Sequence, residues 1–215
     1  MRTYIYIDGF NFYYGVVKNT PYKWVDFMSL FKKVLNPKHD ILAIKYFTAR
    51  VTGKFDPKQP LRQKTFLRAI KKYIPELSVH FGQFNSHTIN APLAYPIGAE
   101  TFGKKIKFAN IVKTEEKGSD VNLAIHALND AWLDHYDCAV IVSNDSDLAE
   151  SLRLIKEQNK KMVGLIFPST NRKRHPSKAL IKHADFTKSI LISTLKTCQL
   201  PDPIPGTNIS KPIDW

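Results

Sequence analysis

Cys138-Ala139-Val140-Ile141-Val142-Ser143-Asn144-Asp145-Ser146-Asp147-Leu148 is the stretch on which the fold turns. Cys138 to Val142 is apolar at every position, the pattern of a strand covered on both faces. The run stops in a short acidic loop, and Leu148 to Gln158 then reads as a helix. A buried strand that hands over to a helix through such a loop belongs to an α/β protein with a mainly parallel sheet.

Outward from that point the same grammar recurs. Thr3 to Ile7 is a β-branched and aromatic strand that ends at Asp8-Gly9, and Ile41 to Thr48 and Leu77 to Phe84 are further strands. Between them lie a helix from Phe27 to Leu35, closed by Asn36-Pro37, and an amphipathic helix from Pro60 to Ile74. Gln63, Phe66, Leu67, Ile70 and Ile74 form the inner side of the second helix. Ser119 to Leu133 is helical, with Val121, Ala124, Ile125, Leu128 and Trp132 as its apolar positions. Met162 to Phe167 is a last strand, and Ala179 to Thr194 is predicted as a final helix. The expectation is a three-layer α/β/α sandwich over residues 1–196. Asn85 to Gly103 shows no periodicity and Lys104 to Lys113 has strand character, so a hairpin-like insertion is expected at about 85–113. The tail, 197–215, carries four prolines after residue 200; it is expected to be extended, either wandering or pinned by Trp215.

The acidic residues fall at equivalent places. Asp8 follows the first strand, Asp145 and Asp147 follow the strand Cys138 to Val142, and Asp120 opens a helix. In an open parallel sheet, ligands bind outside the carboxyl ends of the strands, so these groups are expected to share one edge. Unit charges about 4 Å apart repel by several kcal/mol at an effective dielectric near 20. A Mg²⁺ or Mn²⁺ ion reverses that sign, because hard cations prefer carboxylate and water oxygens, and it can activate water against a phosphoryl group. Each aspartate also has a plainer reading: Asp120 or Asp147 as a helix cap, Asp8-Gly9 as a turn, Asn11 as a cap. Capping alone does not demand aspartates at all three elements.

Thirty-two Lys and Arg against nineteen Asp and Glu leave a formal charge of +13, which points to polyanionic partners. Twelve of the basic residues lie between Lys32 and Lys72, against two acids, Asp40 and Asp56. Lys64, Arg68, Lys71 and Lys72 make a basic stripe on the second helix. Arg172, Lys173 and Arg174 follow the last strand, and Lys117 precedes Asp120. All are candidate phosphate contacts, with a solvated charged face as the alternative for the helix stripe. Phe10, Tyr13 and Tyr14 are placed either to stack bases or to pack inward. Asp8 interrupts the N-terminal apolar run, no stretch approaches the ~18–20 apolar residues of a membrane span, and two cysteines, Cys138 and Cys198, make neither a disulfide framework nor a ligand pair. A cytoplasmic protein without membrane contact is expected.

Three motifs in order resemble a known family. Tyr6-Ile7-Asp8-Gly9-Phe10-Asn11, Lys117-Gly118-Ser119-Asp120-Val121 and Ser143-Asn144-Asp145-Ser146-Asp147-Leu148 are similar to those of the NYN domains, a branch of the PIN-like nucleases. The resemblance runs from about Thr3 to Ile190. It implies a metal-dependent ribonuclease with Asp8, Asp120, Asp145 and Asp147 as acidic ligands, Asn11 orienting the first loop or a water, and Ser143 supporting the third motif. Ser119 stands where the family usually has an apolar residue and Leu148 where it often has Phe; both bear on packing more than on chemistry. Asp185 matches a late family position and reads as structural. The alternative is a nucleic-acid-binding or partner-docking module that keeps the acidic pocket without turnover, with the tail as its docking segment; the oligomeric state is open, a homodimer included. An aspartyl-nucleophile phosphatase is disfavoured, because Asp8-Gly9-Phe10 lacks the second Asp two residues on.

Overall fold

The computed structural model describes residues 1–53, 56–93, 100–101, 104–105, 108–170, 174–213 and 215. Its centre is β1 (Arg2–Asp8), flanked in parallel by β2 (Asp40–Ala49) and β7 (Cys138–Val142). The sheet runs β6-β3-β2-β1-β7-β8-β9, with β3 (Leu77–Pro92), β6 (Phe108–Lys117), β8 (Met162–Phe167) and β9 (Phe186–Ser189). Only the β3–β6 pairing is antiparallel. A two-residue pair, β4 (Glu100–Thr101) with β5 (Lys104–Lys105), lies between β3 and β6.

Successive residues of a strand point to opposite faces, and here each face has its own core. Ile5, Ile7, Val140 and Val142 pack with α2 (Phe27–Val34) and α3 (Gln59–Tyr73), through Phe27, Phe31, Phe66 and Ile70. Tyr6, Ala139 and Ile141 pack with α4 (Ser119–Trp132) and α5 (Ala149–Glu157), through Leu123, Ala127, Leu152 and Ile155. The sandwich expected from the strand pattern is therefore the architecture observed.

Four local expectations are corrected or resolved. The helix expected over Ala179–Thr194 is a single turn, α6 (Lys178–Ile181), then β9 and a short α7 (Ile192–Lys196). Asp185 starts this edge strand: its N–H donates to the Val163 carbonyl at 2.7 Å and its carboxylate accepts from the Val163 N–H at 2.8 Å. An edge strand with three of its four residues exposed leaves no alternation to betray it. The insertion is a hairpin, as expected, but its strands pair from Gln83 with Lys117 to Pro92 with Phe108. Asn85 to Pro92 was aperiodic because this ribbon buries neither face. Ala49 pairs with Gly82, so beyond that step β3 has only β6 as a neighbour, and the ribbon runs past the carboxyl edge of the parallel sheet.

The face of α4 is the third correction. Val121, Ile125 and Trp132 are 60%, 57% and 70% exposed, while Leu123, Ala127, Asp130 and Ala131 are buried. A buried acid on the inner face made the apolar side look like the core side. Asp130 is satisfied there by Lys45 Nζ at 2.5 Å and by the Tyr6 hydroxyl at 2.7 Å. Finally, the tail is pinned. Trp215 packs on Phe66 and Trp24 with ring centroids 5.3 and 6.2 Å away, Leu200 N–H donates to the Trp24 carbonyl, and Ile204 is buried. Much of the tail's apolar surface is thus used within the chain rather than offered to a partner. Among the described residues no helix is long and apolar enough to cross a membrane.

Burial opposes ionisation of Asp130, but the hydrogen bonds from Lys45 and Tyr6 outweigh it, so its carboxyl sits below the ordinary range. A carboxylate held below its unfolded value of about 3.9 stabilises the fold above that pH and loses the contribution as pH falls through the folded pKa. Asp130→Asn strands Lys45 without its counter-charge, and a loss of about 3 kcal/mol is expected in urea unfolding at pH 7. The gap from the parent should narrow below pH 4. Equal midpoints at pH 7 would show that the pair is dispensable.

Candidate acidic site at the sheet edge

The site begins with a pairing between neighbouring strands. Ile7 of β1 sits opposite Val142 of β7, so the next residues, Asp8 and Ser143, leave the sheet side by side. This is where the strand order reverses direction, β2 and β3 lying on one side of β1 and β7 to β9 on the other, the place where open α/β sheets bind ligands. Asp8 is 2% exposed and accepts three hydrogen bonds: from Asn11 N–H at 2.9 Å, Asn11 Nδ2 at 2.6 Å and Ser143 Oγ at 2.8 Å. It is the N-cap of the helical turn α1 (Gly9–Phe12), so its capping and site readings hold together. Gly9 follows because β2 lies too close for any side chain: a Cβ there would stand 2.6 Å from the Phe47 carbonyl oxygen.

Ser143 continues the chain of contacts. Its Oγ accepts from Asp145 N–H at 3.1 Å, and the Asp145 carboxylate accepts from Asp147 N–H at 3.0 Å. Asn144 accepts from Ser177 N–H at 2.7 Å, which ties the acidic loop to the start of α6. Asp120 arrives from the other side. Gly118, at φ +94°, turns the chain from β6 into α4 and leaves Asp120 in the first helical turn. Ser119 is buried and gives both its N–H and its hydroxyl to Glu116, which explains a polar residue at this position.

These groups feel one another. Burial raises the Asp8 carboxyl above the usual range; the hydrogen bonds from Asn11 and Ser143 counter it in part, and Asp145 adds to the rise. Asp120 is pushed up to about 7, first by burial and then by Asp8, Asp145, Glu116 and Asp147. All four aspartates singled out from sequence therefore gather electrostatically at one edge. Glu116 joins them and was not assigned from sequence, because within an exposed hairpin strand it looks like any solvated charge.

No three His, Cys, Asp or Glu side chains among the described residues close around a point as a complete cage would. Mg²⁺ keeps several waters and takes only one or two protein carboxylates together with substrate phosphates. The carboxylates offer an all-oxygen donor set, the kind that hard divalent cations prefer and that differs from the nitrogen and sulfur ligands typical of zinc.

The basic residues divide. Lys117 is exposed two residues before the buried Ser119. Arg174 reaches towards the turn after α1, its Nη1 3.8 Å from where a Gly15 Cβ would lie. Arg172 and Lys173 lie outside the described residues. Lys64, Arg68, Lys71 and Lys72 are exposed on α3, but that helix runs back from the carboxyl edge. Lys71 and Lys72 are therefore carried to the far end of the sheet, where with Arg68 they line a shallow recess against Thr207 to Ile209. Of the aromatic trio, Phe10 packs edge-on to Phe84 of the ribbon at 5.6 Å, Tyr13 packs against the core, and Tyr14 is 57% exposed. Asp185 is structural: besides Val163 it pairs with Lys156 at 2.8 Å.

An α/β sandwich with acids collected at its switch point is a PIN-like, nuclease-like fold. The chain belongs to the NYN domain family, whose profile matches residues 2–191. It is 33% identical, over an alignment of 237 positions, to "6-hydroxy-3-succinoylpyridine 3-monooxygenase HspA" of Pseudomonas putida (strain DSM 28022 / S16), which covers all of this chain and 75% of that protein. A crystal structure of a protein of unknown function from Vibrio parahaemolyticus shares the fold, with TM-score 0.51 at 20% identity over 88% of this chain and 92% of the other.

A carboxyl raised in the fold binds protons that the unfolded chain has released, so Asp120 makes the metal-free protein less stable as pH climbs from about 4 to 7. Allowing for its partial exposure, Asp120→Asn should raise metal-free stability at pH 8 by about 1 kcal/mol. Mn²⁺ should raise the parent's melting temperature more at pH 8 than at pH 5, and the variant's hardly at all. A variant that melts like the parent with and without Mn²⁺ removes Asp120 from the site.

Proposed function

We propose that the chain is a divalent-metal-dependent endoribonuclease, acting in the cytoplasm on RNA phosphodiester bonds. The observation that carries this reading is the meeting of acidic groups from three separate elements at the switch point: Ser143 bridges Asp8 and the Asp145 backbone, and Asp120 feels the charges of Asp8, Asp145 and Asp147. The ligands of Mg²⁺ or Mn²⁺ would come from among Asp8, Asp120, Asp145 and Asp147, and the ion when bound would supply Lewis-acid activation of a phosphoryl oxygen and of water. Asn11 and Ser143 keep Asp8 oriented. Asp120, pushed up to about 7 in the metal-free chain by burial and by the neighbouring acids, would give up its proton when the cation binds. Lys117 and Arg174 neutralise backbone phosphates on either side, and the ribbon beyond Gln83 borders the approach.

A second reading has its own support, the 33% identical relative whose name describes a monooxygenase acting on a substituted pyridine. On that reading the same edge would serve a small heteroaromatic acid. A third, an RNA-binding module without turnover, keeps the pocket and loses only the chemistry.

One set of assays separates them. With Mn²⁺, the purified chain should cut RNA, and Asp8→Asn or Asp145→Asn should lower the rate at least about 100-fold while circular dichroism and melting remain near the parent's. Lys117→Ala should weaken RNA binding and flatten its salt dependence by about one unit of log–log slope. RNA bound but uncut across structured and single-stranded substrates would favour the third reading. Oxygen uptake with 6-hydroxy-3-succinoylpyridine and a reductant, without RNA cleavage, would favour the second.

A further inference from the structure

A cavity of about 230 Å³ is lined in part by Gly9, the residue after Asp8. Its lining includes the rings of Tyr13, Tyr14, Phe66 and Trp215, together with Tyr46 and Thr48 of β2. The volume falls below the ~300–1,000 Å³ of drug-sized sites, so it suits one flat ring system rather than an extended ligand. Aromatic walls favour a planar guest, held by stacking or edge contacts.

The polar groups are as telling as the rings. Tyr46 is 6% exposed, and its hydroxyl has no hydrogen-bond partner among the described residues. That oxygen is not sealed in protein either: among the described residues only Asn159 Oδ1 is both fully occluded and unpartnered. A hydroxyl on a side chain buried to this degree ordinarily finds a partner, and here the cavity is where one can stand. Gln63, also in the lining, is fixed by its Nε2 amide donating to the Ala49 carbonyl at 2.9 Å and its Oε1 accepting from Val51 N–H at 3.1 Å. The Arg62–Asp56 ion pair is part of the same lining. The cavity thus exists as a built shape before any guest arrives.

We infer that this cavity binds a single planar heteroaromatic ring, with the Tyr46 hydroxyl bonding its polar edge, and that in the nuclease the ring is one unstacked nucleobase of the strand being cut. The assignment of the ring to a strand rests on the nuclease reading; the ring-binding itself does not. Gly9 lines the cavity and directly follows Asp8, so a base seated here is tethered close to a phosphate at the carboxylates. Base stacking of this kind is tolerant of sequence, so the pocket would fix register more than identity.

Binding can be read on the full-length Asp145→Asn chain, which removes turnover, by titration calorimetry and by quenching of tryptophan fluorescence. The probes are adenosine, uridine, a trinucleotide, and the same trinucleotide with an abasic central residue. The intact trinucleotide should bind about 10-fold more tightly than the abasic one. Tyr14→Ala, at an exposed position, and Tyr46→Phe, which keeps the ring, should each weaken binding about 5-fold without lowering the melting temperature by more than a degree or two. Nucleosides that bind as well as the trinucleotide also support the cavity as a ring site and make a free heterocycle its guest. Silent nucleosides combined with equal affinity for intact and abasic trinucleotides overturn the inference. Mn²⁺-dependent cleavage by the parent chain is scored separately, so failure of the ring site and failure of the nuclease reading cannot be confused.

Discussion

The parallel pairing of β1 with β7 is the constraint on which the site depends. It joins residues 3–7 to residues 138–142, separated by most of the chain, and ends with Ile7 opposite Val142. Everything acidic follows from that register. A one-residue slip would turn alternate side chains to the opposite core and carry Ser143 away from Asp8. Ten strand residues, most of them fully buried and divided between two cores, hold the register against the repulsion of the carboxylates at its end. The fold therefore stabilises what the site destabilises, which is the usual relation between a scaffold and a functional cluster.

The second organising charge lies on the far face. Asp130, Lys45 and Tyr6 join α4 to the sheet through a buried ion pair and hydroxyl. This pairing fixes the rotation of α4 about its axis, and with it the direction in which Asp120, ten residues earlier, enters the site. An acid on the inner face also explains why Val121, Ile125 and Trp132 remain outside. Packing followed the polar bond rather than the apolar stripe, since an unpaired Lys45 or Asp130 against the sheet would cost more than exposed aliphatic surface.

What could be read from sequence was what physics enforces locally. Buried parallel strands advertise themselves as uninterrupted apolar runs, and acids immediately after such runs have few structural reasons to recur. Hence the sandwich was legible, and so was the meeting of the four aspartates and Ser143 at one edge of it. β9 and the ribbon beyond Gln83 were not, because neither buries a full face and so neither carries a period. Glu116 was invisible for the same reason, one carboxylate among the charges of an exposed strand. The aromatic cavity was hidden differently. Tyr13, Phe66 and Trp215 come from three remote segments, and only the docking of the tail brings the last of them to the other two.

Gly9 is where the two halves of the functional region meet. Its missing side chain makes room for the Phe47 carbonyl and the Tyr46 ring; a Cβ would sit 2.6 Å from the first and 2.7 Å from Cζ of the second. Asp8, one residue before this step, is clamped by Asn11 and Ser143, and Tyr46, packed against Gly9, lines the cavity. A displacement of either group is therefore felt by the other through a backbone with no slack. Rigid coupling of this sort suits a site that must hold a ring and a phosphodiester at a fixed separation, because misplacement by about 1 Å can cost a hundredfold in rate. It suits equally a site that presents a small ring to the carboxylates themselves. On the proposed reading the ring in the cavity and the phosphodiester at the carboxylates belong to one strand, and Gly9 is the step of backbone between them.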